Sequence, residues 1–341
     1  MKKVLFIGGT GTISKAIVEK LSEDDSYEVW LLNRGNRKTS FDDKVKHLYV
    51  DINDEKKVNE LISDLSFDTV CEFIGFTKDQ VERDCRLFKD KTKQYIYISS
   101  ASAYNKPATD FIINEDTPLN NPYWEYSRNK KACEEYLLDK YKNDGFPVTI
   151  VRPSHTYDER SIPLGVHGKN GSWQVIKRIK EGKPVIVHGD GSSLWTLTFN
   201  KDFATGFIGL IGNEKAIGEA YQITGDEVLT WDEIYRTIGK ALNKEVNLYH
   251  VSSYYLASVG EEYDYTGSLI GDKACSVIFD NKKIKALVPD MRTTIPFKEG
   301  VKIALDYIER HPEECQKDDP EFDKWCDKLI NILENSKREF D

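Results

Sequence analysis

The chain has 341 residues, 48 of them basic and 57 acidic, for a formal net charge of −9. That length supports one large α/β domain with a smaller companion, and the negative field repels a phosphate backbone, so nucleic acid is an unlikely partner. No apolar run approaches the roughly 20 residues of a membrane-spanning helix, and the six cysteines show no metal-ligand spacing, which points to reduced thiols in a cytoplasmic protein without a metal.

Residues 1–9 read as a strand rather than a secretion signal, because only Val4 to Ile7 are strongly apolar. Similar short runs follow at residues 29–32, 47–50, 69–74, 95–98 and 148–151, with helical patterns between them. Their apolar residues are continuous rather than alternating, which marks strands buried on both faces of a parallel sheet. The expected fold is a Rossmann-type, doubly wound α/β sheet. Between the first two strands Ile13, Ile17 and Leu21 recur at helical spacing and predict a crossover helix. From residue 152 the rhythm changes to loops with short strands at 185–187 and 220–223. Thr230-Trp231-Asp232-Glu233 reads as a capping box opening a helix that turns Ile234, Ile238 and Leu242 inward. In the tail Phe322, Trp325, Leu329, Ile330 and Leu333 form one stripe, so a terminal helix should dock on the body. The expected division is a dinucleotide-binding domain over 1–151 with returning segments near 185–225, a smaller C-terminal α/β substrate domain over 152–310, and a helical extension over 311–341.

The first strand runs into Gly8-Gly9-Thr10-Gly11-Thr12-Ile13-Ser14 and then a helix. Glycines there let the backbone turn tightly beneath a pyrophosphate, whose charge meets the amides at the helix N-terminus. After the second strand Asn33, Arg34, Arg37 and Lys38 stand where an NAD site usually holds an acid. The basic groups suit a 2′-phosphate, so the expected cofactor is NAD(P), with NADP favoured. Asp51 and Ile52 should lie beside the adenine. Tyr126 and Lys130 are four apart at the start of a helix, which places both on one face and lets the ammonium lower the phenol's pKa. Ser99 and Ser100 end the fifth strand, where such sheets meet their ligand.

These pieces together resemble an extended short-chain dehydrogenase/reductase of the NAD-dependent epimerase/dehydratase family. The matching segments also include Val151-Arg152-Pro153, Gly189-Asp190-Gly191 leading to Asp202, and Phe279-Asp280. The resemblance implies that Ser100 hydrogen-bonds the substrate oxygen, that Tyr126 is the acid/base and that Lys130 is its partner. It places Ile74 and Gly75 beside the cofactor and runs Pro153 and His155 past the nicotinamide. It also implies a homodimer through the Tyr126 helix and a neighbour near residues 80–89, whose apolar Val81, Leu87 and Phe88 serve core packing equally well.

The departures from the pattern narrow the chemistry. Ser14 replaces the third glycine, and Ala101-Ser102 replaces the Asp-Glu pair of nucleotide-sugar dehydratases, so that elimination is not expected. Trp195 and Leu269 stand where arginines usually meet a sugar diphosphate. With Tyr104, Trp195 becomes a candidate substrate contact, as an aromatic wall or as core. Glu72, in a bulkier turn than usual, is a substrate ligand or a satisfied polar group. That turn resembles an atypical branch containing chloroplast stem-loop RNA-binding proteins. The leading expectation is an NAD(P)-dependent oxidoreductase or epimerase acting on a hydroxyl or carbonyl carbon of a sugar-like or other small substrate. The alternative is a non-catalytic dinucleotide-binding or RNA-binding protein on the same fold.

Overall fold

In the computed structural model, which describes residues 1–37 and 39–339, the strand Lys2–Ile7 buries Val4 and Phe6 on one face and Leu5 and Ile7 on the other. A strand apolar on both faces needs cover on both sides. It lies inside a seven-stranded, wholly parallel sheet. From one edge the sheet runs Ala220–Ile223, Val148–Pro153, Tyr95–Ile98, Thr69–Glu72, Lys2–Ile7, Tyr27–Asn33 and Lys46–Tyr49. Consecutive strands are laid down first to one side of Lys2–Ile7 and then to the other. The chain therefore reverses direction there, and a crevice opens at the carboxyl ends of the strands.

The helix Ser14–Ser22 buries Ala16, Ile17 and Leu21 and packs beside Asn200–Ile208 on one face of the sheet. On the other face Lys78–Phe88 packs with Glu125–Asp144. Val81, Leu87 and Phe88 are all interior, at 0%, 3% and 0% exposure, so they serve the chain's own core. The fourth strand stops at Glu72, short of the expected 74, because the Glu72 carboxylate turns back to accept the Ile74 amide.

Of the stretch near 185–225, Ala220–Ile223 forms the sheet edge, whereas Val185–His188 pairs in parallel with Leu248–Val251 in a second lobe. That lobe has its own core around Trp231, Ile234, Tyr235 and Ile238. The capping box forms as the sequence predicts: Glu233 N donates to Thr230 Oγ1 at 3.1 Å, and Thr230 N to Glu233 Oε2 at 2.8 Å. The terminal helix Pro320–Lys337 sinks Phe322, Cys326 and Leu329 into the same core. Among the described residues no helix is long and apolar enough to cross a membrane.

Candidate active site

Two clefts open along the carboxyl ends of the strands. The first, of about 510 Å³, is lined by Gly8, Thr10, Gly11, Asn33, Arg34, Arg37, Asp51, Ile52 and Ile74, all expected around a dinucleotide. Lys38, offered as a further 2′-phosphate ligand, lies outside the described residues. The glycines are there for definite steric reasons. Gly8 has φ +85°, and a Cβ on it would come 2.5 Å from Ile74 Cγ2. A Cβ on Gly9 would come 2.5 Å from Leu31 Cδ2. A Cβ on Gly11 would meet nothing closer than Ser14 Oγ at 3.5 Å, so glycine there keeps space open above the turn. Ser14, in place of the third glycine, is 1% exposed, and its hydroxyl staples the turn. It donates to Gly8 O at 2.8 Å and accepts from Gly11 N at 3.0 Å. The turn, the open space above it and the basic rim fit a dinucleotide.

Thr12 and Ile13, both half-buried, follow the glycine turn and are not among the residues lining the cleft. Asn200 Nδ2 donates to Thr12 O at 3.1 Å, and Ile13 occupies the helix N-cap. Gln80 and Arg83 also line this cleft, and Arg83 Nη1 donates to Asn53 Oδ1 at 2.6 Å. Neither carries a signal in the sequence, because the helix Lys78–Phe88 shows no ligand motif.

The second cleft, of about 300 Å³, gathers Ser100, Tyr104, Tyr126, Pro153, His155 and Trp195. Pro153 and His155, expected beside the nicotinamide, line this second cleft. Tyr126, in the first turn of the helix Glu125–Asp144, lines the cleft together with Ser100. Ser100 in turn lies 2.9 Å from Ser102 Oγ, to which Ser127 Oγ donates at 2.8 Å, so three hydroxyls run inward from the phenol. Lys130, one turn on, is 1% exposed and donates to Gly75 O and Ile98 O, both at 2.7 Å. These bonds hold together the ends of the fourth and fifth strands. Ser99 is buried behind them and touches neither cleft wall.

Burial dominates the electrostatics. It pushes the Tyr126 phenol above its ordinary value, with the Ser100 hydrogen bond opposing it, and it pulls Lys130 down to about 8. The expectation that the ammonium lowers the phenol is therefore not met in this arrangement. The ammonium is engaged by two carbonyls and lies 5.7 Å from the Tyr126 ring centroid. Glu72 proves to be an interior group, 0% exposed, raised well above the carboxylate range by burial and by neighbouring Asp84.

Tyr104 presents its ring to the cleft while its hydroxyl is used internally, donating to Gln222 Oε1 at 3.0 Å and accepting from Arg152 Nη1 at 3.2 Å. Trp195 is both wall and core. It is 3% exposed, lies 5.6 Å from the Trp231 ring and donates to His155 Nδ1 at 3.3 Å. The cleft also holds Lys106, Asp272 and Lys273, which no motif marks in the sequence. The one available signal is position: Lys106 is two residues beyond Tyr104, and Asp272 and Lys273 follow closely on Leu269.

A parallel sheet with a stapled glycine turn, and a Ser–Tyr–Lys group near its strand ends, define a fold and site of the short-chain dehydrogenase/reductase type. Residues 4–224 match the NAD dependent epimerase/dehydratase family, and the chain belongs to that family. Among curated proteins it is 30% identical over 253 residues to the chloroplast stem-loop binding protein of 41 kDa b of Arabidopsis thaliana, covering 70% of this chain and 63% of that one. It is 22% identical to the 2′-dehydrokanamycin reductase of Streptomyces kanamyceticus, covering 77% and 73% of the two chains. In fold it is similar to the dTDP-glucose 4,6-dehydratase of Bacillus anthracis solved with NAD. There the TM-score is 0.73 at 18% identity, over 92% of this chain and 98% of that one.

Proposed function

We propose that this chain is an NAD(P)-dependent oxidoreductase or epimerase acting on a hydroxyl or carbonyl carbon of a sugar-like or other small molecule. The observation that carries this reading is that Ser100 and Tyr126 line the second cleft while Lys130, one helical turn on, binds the carbonyl of Gly75, next to Ile74 of the dinucleotide cleft. Gly8, Gly11 and the helix behind them would hold the pyrophosphate, Asp51 and Ile52 would lie beside the adenine, and the nicotinamide would supply hydride exchange. Ser100 hydrogen-bonds the substrate oxygen. The Tyr126 hydroxyl, protonated at neutral pH, gives a proton to that oxygen in reduction, leaving the tyrosinate; in oxidation it is the tyrosinate that takes the substrate's hydroxyl proton. Lys130 keeps a positive charge beneath the phenol and fixes the two strand ends that shape the cleft. Arg34 and Arg37 on the rim favour NADP.

A second reading, a stem-loop RNA-binding protein, is favoured by the 30% identity to the Arabidopsis relative. The net charge of −9 weighs against it. The deciding experiment is mass-spectrometric identification of any nicotinamide released on denaturation, followed by titration with NAD(H), NADP(H) and a stem-loop RNA. Submicromolar binding of a dinucleotide is expected, with Arg34→Ala and Arg37→Ala each weakening NADP(H) by about tenfold and NAD(H) little. RNA binding without dinucleotide binding would overturn the enzymatic reading.

A further inference from the structure

The second cleft is richer in buried charge than its aromatic walls suggest. Lys106 is 3% exposed and Lys273 8%, and both line the cavity with Asp272 between them in sequence and charge. Lys273 Nζ donates to Ser268 O at 3.3 Å. Among the described residues the Lys106 ammonium makes no hydrogen bond and no ion pair, and its interaction with Asp272 is a longer-range Coulombic one. One carboxylate therefore faces two ammonium groups. A buried cation without a hydrogen-bonded partner is costly, and the cost disappears when a ligand brings the missing anion.

The position is also rigid. The Lys273 carbonyl accepts from His188 Nε2 at 3.1 Å, from Trp231 Nε1 at 3.1 Å and from Ser193 Oγ at 3.3 Å, so the backbone beneath the ammonium is fixed before any ligand arrives. Asp272 also acts Coulombically on Tyr126, which puts this cation pair within electrostatic reach of the reacting oxygen. A volume of about 300 Å³ is at the small end of ligand cavities. An anion held by these two cations inside so small a cleft sits close to the carbon that changes.

We propose that this cleft selects a small polyhydroxy substrate bearing its own anionic group, a carboxylate or a phosphoryl, which seats between Lys106 and Lys273. The proposal rests on the reading of the cleft as the reaction centre. Trp195 and Leu269 supply no cation, but Lys106 and Lys273 line the same cleft and are buried enough to favour a compact anion.

The test is isothermal titration of the full chain, saturated with whichever dinucleotide it prefers, using D-glucuronate, D-glucose 1-phosphate and methyl glucoside as probes. At least one anion is expected to bind tenfold or more tighter than the neutral glycoside, roughly the worth of one charge-assisted hydrogen bond. Which of the two wins tells carboxylate from phosphoryl. Lys106→Met should remove that preference and Lys106→Arg should restore much of it, with dinucleotide affinity unchanged in both, which also shows that the variants fold. Equal binding of all three probes to the unaltered chain would overturn the proposal without recourse to any variant, as would an undiminished anion preference in Lys106→Met. Failure to bind a dinucleotide is a separate result, and it overturns the enzymatic reading instead.

Discussion

Lys130 and Tyr126 show how burial decides a side chain's chemistry. Spacing alone places the ammonium and the phenol on one helix face, and that much was legible. What spacing omits is the competition from Gly75 O and Ile98 O, which bind the ammonium at 2.7 Å and draw it away from the phenol. The phenol is consequently governed by desolvation, and its acidity falls rather than rises. In the cofactor-free protein, the tyrosinate absorbance difference between the parent and Tyr126→Phe should show no step below pH 10, the ordinary tyrosine value. A step near neutrality would mean that the ammonium, not burial, sets the phenol. In any assay that shows turnover, Tyr126→Phe should cost roughly 10²–10⁴ in rate, the usual worth of a positioned acid/base.

At the scale of elements, the sheet strands were legible because their apolar runs are uninterrupted, and the Thr230 helix because its capping box is local. The short strands of the second lobe were less so. Leu194–Trp195, Leu229–Thr230 and Ile278–Phe279 have two residues each, too few for any periodicity to register. The docking of the terminal helix was readable from its apolar stripe, but its electrostatic clasp was not. Arg178, 1% exposed on Trp173–Lys180, donates to Asp323 Oδ1 at 2.6 Å and to Asp327 Oδ1 at 2.8 Å. Removing both carboxylates leaves a buried guanidinium with only carbonyl partners. Asp323→Ala with Asp327→Ala should cost about 2 kcal/mol or more in urea unfolding, a figure reduced because Asp327 is half exposed. Arg178→Met should cost less, since it removes the charge and keeps much of the packing. The opposite order would show that the stripe alone holds the helix.

Across the whole molecule, the glycine turn of the dinucleotide cleft was legible because one continuous motif builds it, whereas the second cleft draws Ser100 and Tyr126 from one lobe and Trp195, Asp272 and Lys273 from the other, stretches that no single motif spans. His188 joins two elements of that second lobe. Its Nε2 meets the Lys273 carbonyl, which requires the proton on Nε2 and leaves Nδ1 buried without a partner. Protonating Nδ1 would bury a charge beside the Lys273 ammonium, and burial, with that ammonium opposed by the carbonyl bond, holds the imidazole down to about 4. A histidine with a folded pKa below its unfolded value of 6.5 lends stability that is present above pH 6.5 and is lost as pH falls toward 4. Between pH 6.5 and 5, above the range where most carboxylates titrate, this one group should cost the parent about 2 kcal/mol of unfolding free energy. His188→Gln keeps a donor for the Lys273 carbonyl and has nothing to protonate. Urea unfolding of the variant should therefore fall off more gently over the same interval, by about that amount, whatever its stability at neutral pH. Parallel curves for the parent and the variant would mean that the imidazole takes up its proton in the folded protein as readily as in the unfolded chain.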